Sequence, residues 1–209
     1  MGTTRRFTLG ITALLLALPC TLIGCGDDPA RPEVAGAVPA HVDPAPGTYV
    51  SARWGYSVRI PPGWHRAERP ITALTDPVET LVVATYRPGP GPEQCGPLVF
   101  RGFDANEVLV IVLERGLDPK SEWPDFPPRP AHFAYEPGQT SVFSECLERT
   151  EGIPLKDHWF RFTDAGRHFH VLVVVGAEAP ASAEADAYGL LDSLHFDPSV
   201  KPDWPSSDQ

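Results

Sequence analysis

Lysine is scarce in this sequence. Only Lys120, Lys156 and Lys201 occur among 209 residues, and no run of basic residues is longer than Arg5-Arg6. The formal charge is −10. A surface this acidic repels phosphate backbones, which excludes nucleic-acid binding, and it offers anionic lipid no electrostatic grip. Signatures of chemistry are missing as well. No Gly-x-Ser-x-Gly occurs, so a nucleophile-elbow hydrolase has no support. No glycine-rich loop ending in Lys-Ser or Lys-Thr occurs, which removes a phosphate-cradling loop. No Cys-x-x-Cys occurs, which removes the usual thiol redox and zinc-ribbon chemistry. The acids are scattered, and pairs such as Asp27-Asp28 sit among prolines and glycines, where solvated charge is the default. No cofactor is implied.

Long apolar runs are almost absent too. The one exception is Leu9 to Ile23, 15 residues with Leu14-Leu15-Leu16 at the centre. It is short of the roughly 20 residues a membrane-spanning helix needs, and Arg5-Arg6 precede it, which fits the hydrophobic region of an export signal. It ends in Leu22-Ile23-Gly24-Cys25, with a polar run after it. This segment resembles the lipobox of bacterial lipoproteins. The resemblance implies that the Cys25 thiol accepts a diacylglyceryl group, that small Gly24 admits the signal peptidase, and that Cys25 becomes the first mature residue. Two or more acyl chains, palmitate among them, would then hold the chain on a cell membrane, facing the extracytoplasmic side. Thr4 to Leu9 also looks like a twin-arginine export signal, although Phe7 falls one place early, so Sec export is the expected route. From Cys25 onward the chain has 15 basic and 27 acidic residues, a net −12.

Four regions are expected: a signal at 1–24, a proline-rich tether at 25–48, a globular domain at 49–197 and a disordered tail at 198–209. The tether holds Pro29, Pro32, Pro39, Pro44 and Pro46 and little that could pack, so it stays extended. With Cys20 removed and Cys25 acylated, Cys95 and Cys146 are left in an oxidising compartment. A Cys95–Cys146 disulfide is expected, closing a loop of about 50 residues worth roughly 4 kcal/mol. The alternative, a reactive thiol at Cys95, has no flanking base to support it.

Within the domain, Gly55 to Ile60 alternates and stops at Pro61-Pro62-Gly63, a half-buried strand followed by a turn. Asp76-Pro77-Val78-Glu79 has capping-box spacing and predicts a short helical turn. Leu81 to Tyr86 reads as a strand, Val108 to Glu114 as a central strand buried on both faces, and Ser141 to Arg149 as a weaker strand. His158 to Phe162 and His168 to Val175 flank Thr163-Asp164-Ala165-Gly166-Arg167, the strongest hairpin signal in the chain. Pro180 to Leu194 predicts a helix with Ala187, Leu190, Leu191 and Leu194 on one stripe and Ser182 or a neighbour as cap. The expected fold is a single α+β domain: a mainly antiparallel sheet of about six strands with the C-terminal helix packed on it. The segments Gly55 to Trp64 and Leu190 to Phe196 resemble the bracketing segments of Mog1/PsbP-like domains, a resemblance that implies a binding or assembly module rather than an enzyme.

Two functions follow as expectations. The first is a non-catalytic, membrane-anchored module that binds an envelope protein, a glycan or a small ligand, with the proline- and aromatic-rich stretch Pro119–Pro137 as its contact surface. That stretch reads equally as an ordered loop draped over the sheet. The second is a metal-assisted hydrolase. His168 and His170 lie two apart on a strand and so share a face, and His158 or Asp157 on the partner strand would supply a third ligand. Two histidines without a second spaced pair are no metal motif in themselves, so no metal ligand is assigned.

Overall fold

The structure, a computed structural model, describes residues 47–72, 74–89, 102–116, 126–135 and 155–202. In chain order these hold strands β1 (Thr48–Ser51), β2 (Tyr56–Arg59), β3 (His65–Arg66), β4 (Val78–Ala84), β5 (Val108–Arg115), β6 (Leu155–Asp164) and β7 (Arg167–Gly176), helix α1 (Ala181–Ser193) and strand β8 (His195–Phe196). The class is α+β, with antiparallel pairing throughout the named strands. The expected single sheet of about six strands is instead eight strands in two sheets, ordered β1-β2-β8 and β3-β4-β5-β7-β6. The extra elements are two to four residues long, too short to display an alternation in sequence.

β5 is the centre of the larger sheet, and all eight of its residues are buried, as its unbroken apolar run demands. Its two faces build two cores. Val108, Val110 and Val112 meet Val171, Val173, Phe160 and the stripe of α1, while Leu109, Ile111 and Leu113 meet Leu172, Val174, Trp159 and Ile71. Helix α1 buries Ala187, Leu190 and Leu191 of the predicted stripe, with Ala183 one turn earlier, and Leu194 follows it into the same core. Each leucine so placed contributes about 2 kcal/mol of burial. The expected serine cap is absent: Pro180 holds the cap position with no side-chain hydrogen bond, its fixed φ serving to launch the first turn.

The β6–β7 hairpin turns on Ala165 and Gly166, with φ of 50° and 72°. Positive φ at both central residues matches the twist of the flanking strands, and glycine takes the second position without strain. Register runs from Asp164 opposite Arg167 to Leu155 opposite Gly176. Asp76-Pro77 does not start a helix. Thr75 bridges Val78, and Val78-Glu79 open β4, because the β-branched run that follows extends the chain. The chain beyond β8 also packs: Val200 covers Gly55 so closely that a Cβ there would come within 2.4 Å of it, and Asp197 N–H donates to the Gly55 carbonyl at 2.8 Å. The two segments that carry the Mog1/PsbP resemblance meet in space, with Tyr56 opposite Phe196 and Arg59 N–H donating to Ser193 Oγ at 2.9 Å. The expected signal and the part of the expected tether before Gly47, together with Cys20, Cys25, Cys95, Cys146 and the strand expected at Ser141–Arg149, lie outside the described residues. Among the described residues no helix is long and apolar enough to cross a membrane.

Candidate functional site

His168 and His170 do share a face of β7, the one that carries Leu172 and Val174. The third ligand does not join them. His158 lies opposite Val173, so it projects from the other face, toward α1. Asp157 lies opposite Val174, four residues from His170 along the strand, or roughly 13 Å. His170 sits between the Phe126 ring at 4.9 Å and the Trp159 ring at 5.1 Å, with Arg161 as its cross-strand neighbour. Burial, then Arg115 and Arg161, push its imidazole down to about 4. The same two guanidiniums repel a divalent cation. Among the described residues no group of three His, Cys, Asp or Glu side chains is placed to hold a metal.

His158 serves another purpose, which sequence reading missed. It is buried, Tyr135 stacks on it at 4.1 Å, and its Nδ1 is hydrogen-bonded to the Tyr188 hydroxyl. Glu184 Oε1 stands 3.9 Å from its Nε2, and Lys156 Nζ grips the other Glu184 oxygen at 2.6 Å. Burial lowers the His158 pKa against the pull of Glu184. Glu184 and Tyr188 are one helical turn apart, so this network braces α1 to β6.

The described middle of the proline-rich stretch, 126–135, packs on the domain as a strap. Phe126 packs beside His168 and His170, and Phe133 is buried against Phe160 and Phe162. Arg129 Nη2 donates to the carbonyls of Leu191 at 2.7 Å and Asp192 at 3.2 Å, while Nη1 reaches the Leu194 carbonyl and, at 2.9 Å, Asp164 Oδ2. It thereby satisfies the orphan carbonyls at the helix C-terminus, where a cation is also favoured by the helix dipole. Tyr135, 47% exposed, is the large hydrophobic side chain that the strap leaves at the surface, and His132 is exposed as well.

The built depression is elsewhere, on the side where β1 and β3 form the edges of their sheets. A groove of about 630 Å³ runs between β1, the β1–β2 turn, the segment after β3, and β4. Arg53, Arg66 and Arg69 line it, and a second depression of about 590 Å³ across the 66–69 segment adds Arg87. Two of these guanidiniums are seated on rings, Arg53 over Trp54 at 4.8 Å and Arg66 over Tyr49 at 4.4 Å. Arg66 Nη1 also donates to the Ala67 carbonyl at 2.8 Å. Among the described residues no carboxylate lies within ion-pairing distance of Arg53, Arg66, Arg69 or Arg87. Two carboxylates do belong to the lining, Glu68 on the exposed segment and buried Glu79 on β4. Glu79 accepts the Ile71 amide at 3.0 and 3.1 Å and the Thr72 amide at 2.8 Å, so its oxygens are turned to the backbone. Burial raises its pKa, and those hydrogen bonds oppose the rise. Tyr56 anchors the adjoining wall, its hydroxyl donating to the Thr80 carbonyl at 2.7 Å.

The four arginines carried no signal in the sequence. They are spread from 53 to 87 over separate elements, and arginine's predominance over lysine runs along the whole chain. No family model matches the sequence, and neither the curated proteins nor the solved structures provide a match.

Proposed function

We propose that this chain is a non-catalytic binding module, held on the outer side of a cell membrane by lipid on Cys25, and that the groove between β1, β3 and β4 receives its ligand. The observation that carries the reading is the groove itself. In a chain of net charge −10 it collects arginines that have no carboxylate partner among the described residues, around a volume in the range of small-molecule sites. The Leu22-Ile23-Gly24-Cys25 pattern supports the anchor, and the resemblance of Gly55–Trp64 and Leu190–Phe196 to Mog1/PsbP-like domains favours binding over catalysis. The disulfide between Cys95 and Cys146 belongs to the same reading, since export delivers both thiols to an oxidising compartment. A metal-assisted hydrolase at His168 and His170 draws no support from the geometry, because His158 and Asp157 are carried away from that pair.

Intact mass measurement on the full chain purified from the membrane fraction tests the anchor. The expected polypeptide begins at Cys25 and carries fatty-acid mass, and Cys25→Ser leaves the chain unacylated and out of the membrane fraction. A chain that begins elsewhere, or begins at Cys25 with no added acyl mass, contradicts the reading.

A further inference from the structure

We propose that the groove binds an organic anion of small-molecule size, gripping its carboxylate or phosphate with Arg53, Arg66 and Arg69. This rests on the reading of the chain as a binding module and names the chemistry of what it binds. Several independent features lead there.

The first is charge placement. The chain has 27 acidic residues and uses them to pair cations elsewhere: Arg115 with Asp76, Arg129 with Asp164, Arg167 with Glu114 and Lys156 with Glu184. Three arginines around one cavity repel one another, and an incoming anion relieves that repulsion. The two lining carboxylates do not cancel them. Glu79 is turned to the Ile71 and Thr72 amides, and Glu68 lies within ion-pairing distance of none of the three.

The second is preorganisation. A guanidinium resting over an aromatic face is restrained without using up its N–H donors. Arg53 Cζ lies 4.8 Å from the Trp54 ring centroid and Arg66 Cζ lies 4.4 Å from that of Tyr49, and the Ala67 carbonyl takes one N–H of Arg66. A planar fork held in place binds carboxylate or phosphate through paired N–H donors and loses little side-chain entropy in doing so.

The third is the remaining wall. Half-buried Tyr49 and Leu74 contribute apolar surface beside the arginines. A bare inorganic ion would leave that surface wet, whereas an organic body covers it. The volume of about 630 Å³ holds a small molecule. A long polyanion is disfavoured by the acidity of the whole chain, which repels charge that extends past the groove.

Isothermal titration calorimetry on the full lipidated chain in neutral detergent tests this with three probes of similar body: phenyl phosphate, benzoate and benzyl alcohol. Saturable binding is expected for at least one anion, weakening as salt rises, with no comparable binding of benzyl alcohol. The tighter of the two anions identifies the head group as phosphate or carboxylate. Arg66→Gln should weaken the anion at least tenfold, and the triple variant R53Q/R66Q/R69Q should abolish binding. If the triple variant fails to fold, Arg66→Gln alone decides. Anion affinity unchanged in these variants puts the anion elsewhere and overturns the proposal. Binding of benzyl alcohol in place of, or as tightly as, both anions overturns the anion class and leaves the groove as a binding site. Failure of all three probes overturns both.

Discussion

Where the hairpin meets the helix, Arg167 places Nε and Nη2 on the two oxygens of buried Glu114 at 2.6 and 2.5 Å, and Arg129 joins Asp164 to three helix carbonyls. Along β3 and the β1–β2 turn, Arg53, Arg66 and Arg69 line a groove and meet only rings and a backbone carbonyl among the described residues. The contrast separates two uses of one side chain. At the first place the guanidinium is largely desolvated and paired with carboxylates or carbonyls, although Nη1 of Arg167 is buried without a hydrogen-bond partner, so it holds the fold together. At the second it is exposed and keeps donors in hand, so its removal should cost recognition rather than stability.

The largest effect is expected at the paired end. Arg167→Met leaves Glu114, 1% exposed, as a buried carboxylate without its partner. Breaking one side of such a pair costs about 3–5 kcal/mol, and chemical denaturation will show it. Replacing both members with apolar residues of similar volume should recover much of that loss.

The next effect is a pH dependence, on the opposite face of the same sheet. His170 has its pKa pushed down to about 4 in the folded chain, against an ordinary 6.5 when unfolded. Protonation therefore favours the unfolded chain. Its contribution to stability is complete above about pH 6.5, is lost as pH falls from there to about 4, and changes no further below. The loss is about 3 kcal/mol. His158 shifts in the same direction, so His170→Phe should flatten the denaturation profile between pH 6.5 and 4 without removing its slope entirely.

Much of the paired end was legible in the sequence, and little of the groove was. Val108–Glu114 announced a central strand because no polar residue interrupts it until its end, and Ala187, Leu190, Leu191 and Leu194 announced the helix by period alone. Thr163–Arg167 located the hairpin, but not its register. Once Ala165 and Gly166 are the turn, Thr163 faces His168 and Arg161 faces His170, which sends His158 to the opposite side of the sheet. Asp76-Pro77 misled because a proline after an acid serves a turn as well as a helix start, and only the β-branched run after it decides. Phe126 and Phe133 looked available for recognition, yet apolar rings beside prolines fit a strap that buries them equally well. The groove stayed hidden because it is assembled from Tyr49, Arg53, Arg66, Arg69 and Glu79, which come together only through long-range pairing and carry no common spacing.

The smallest expected effect on the fold is also the most telling. The R53Q/R66Q/R69Q chain, measured by chemical denaturation on the same preparation used for phenyl phosphate and benzoate titration, should differ from the parent by less than about 1 kcal/mol, because lost ring contacts and relieved repulsion offset each other. The same chain should have lost its anion binding. A destabilisation of about 3 kcal/mol or more, or anion affinity equal to the parent's, would show that these arginines belong to the scaffold and that the groove is not where the ligand is held.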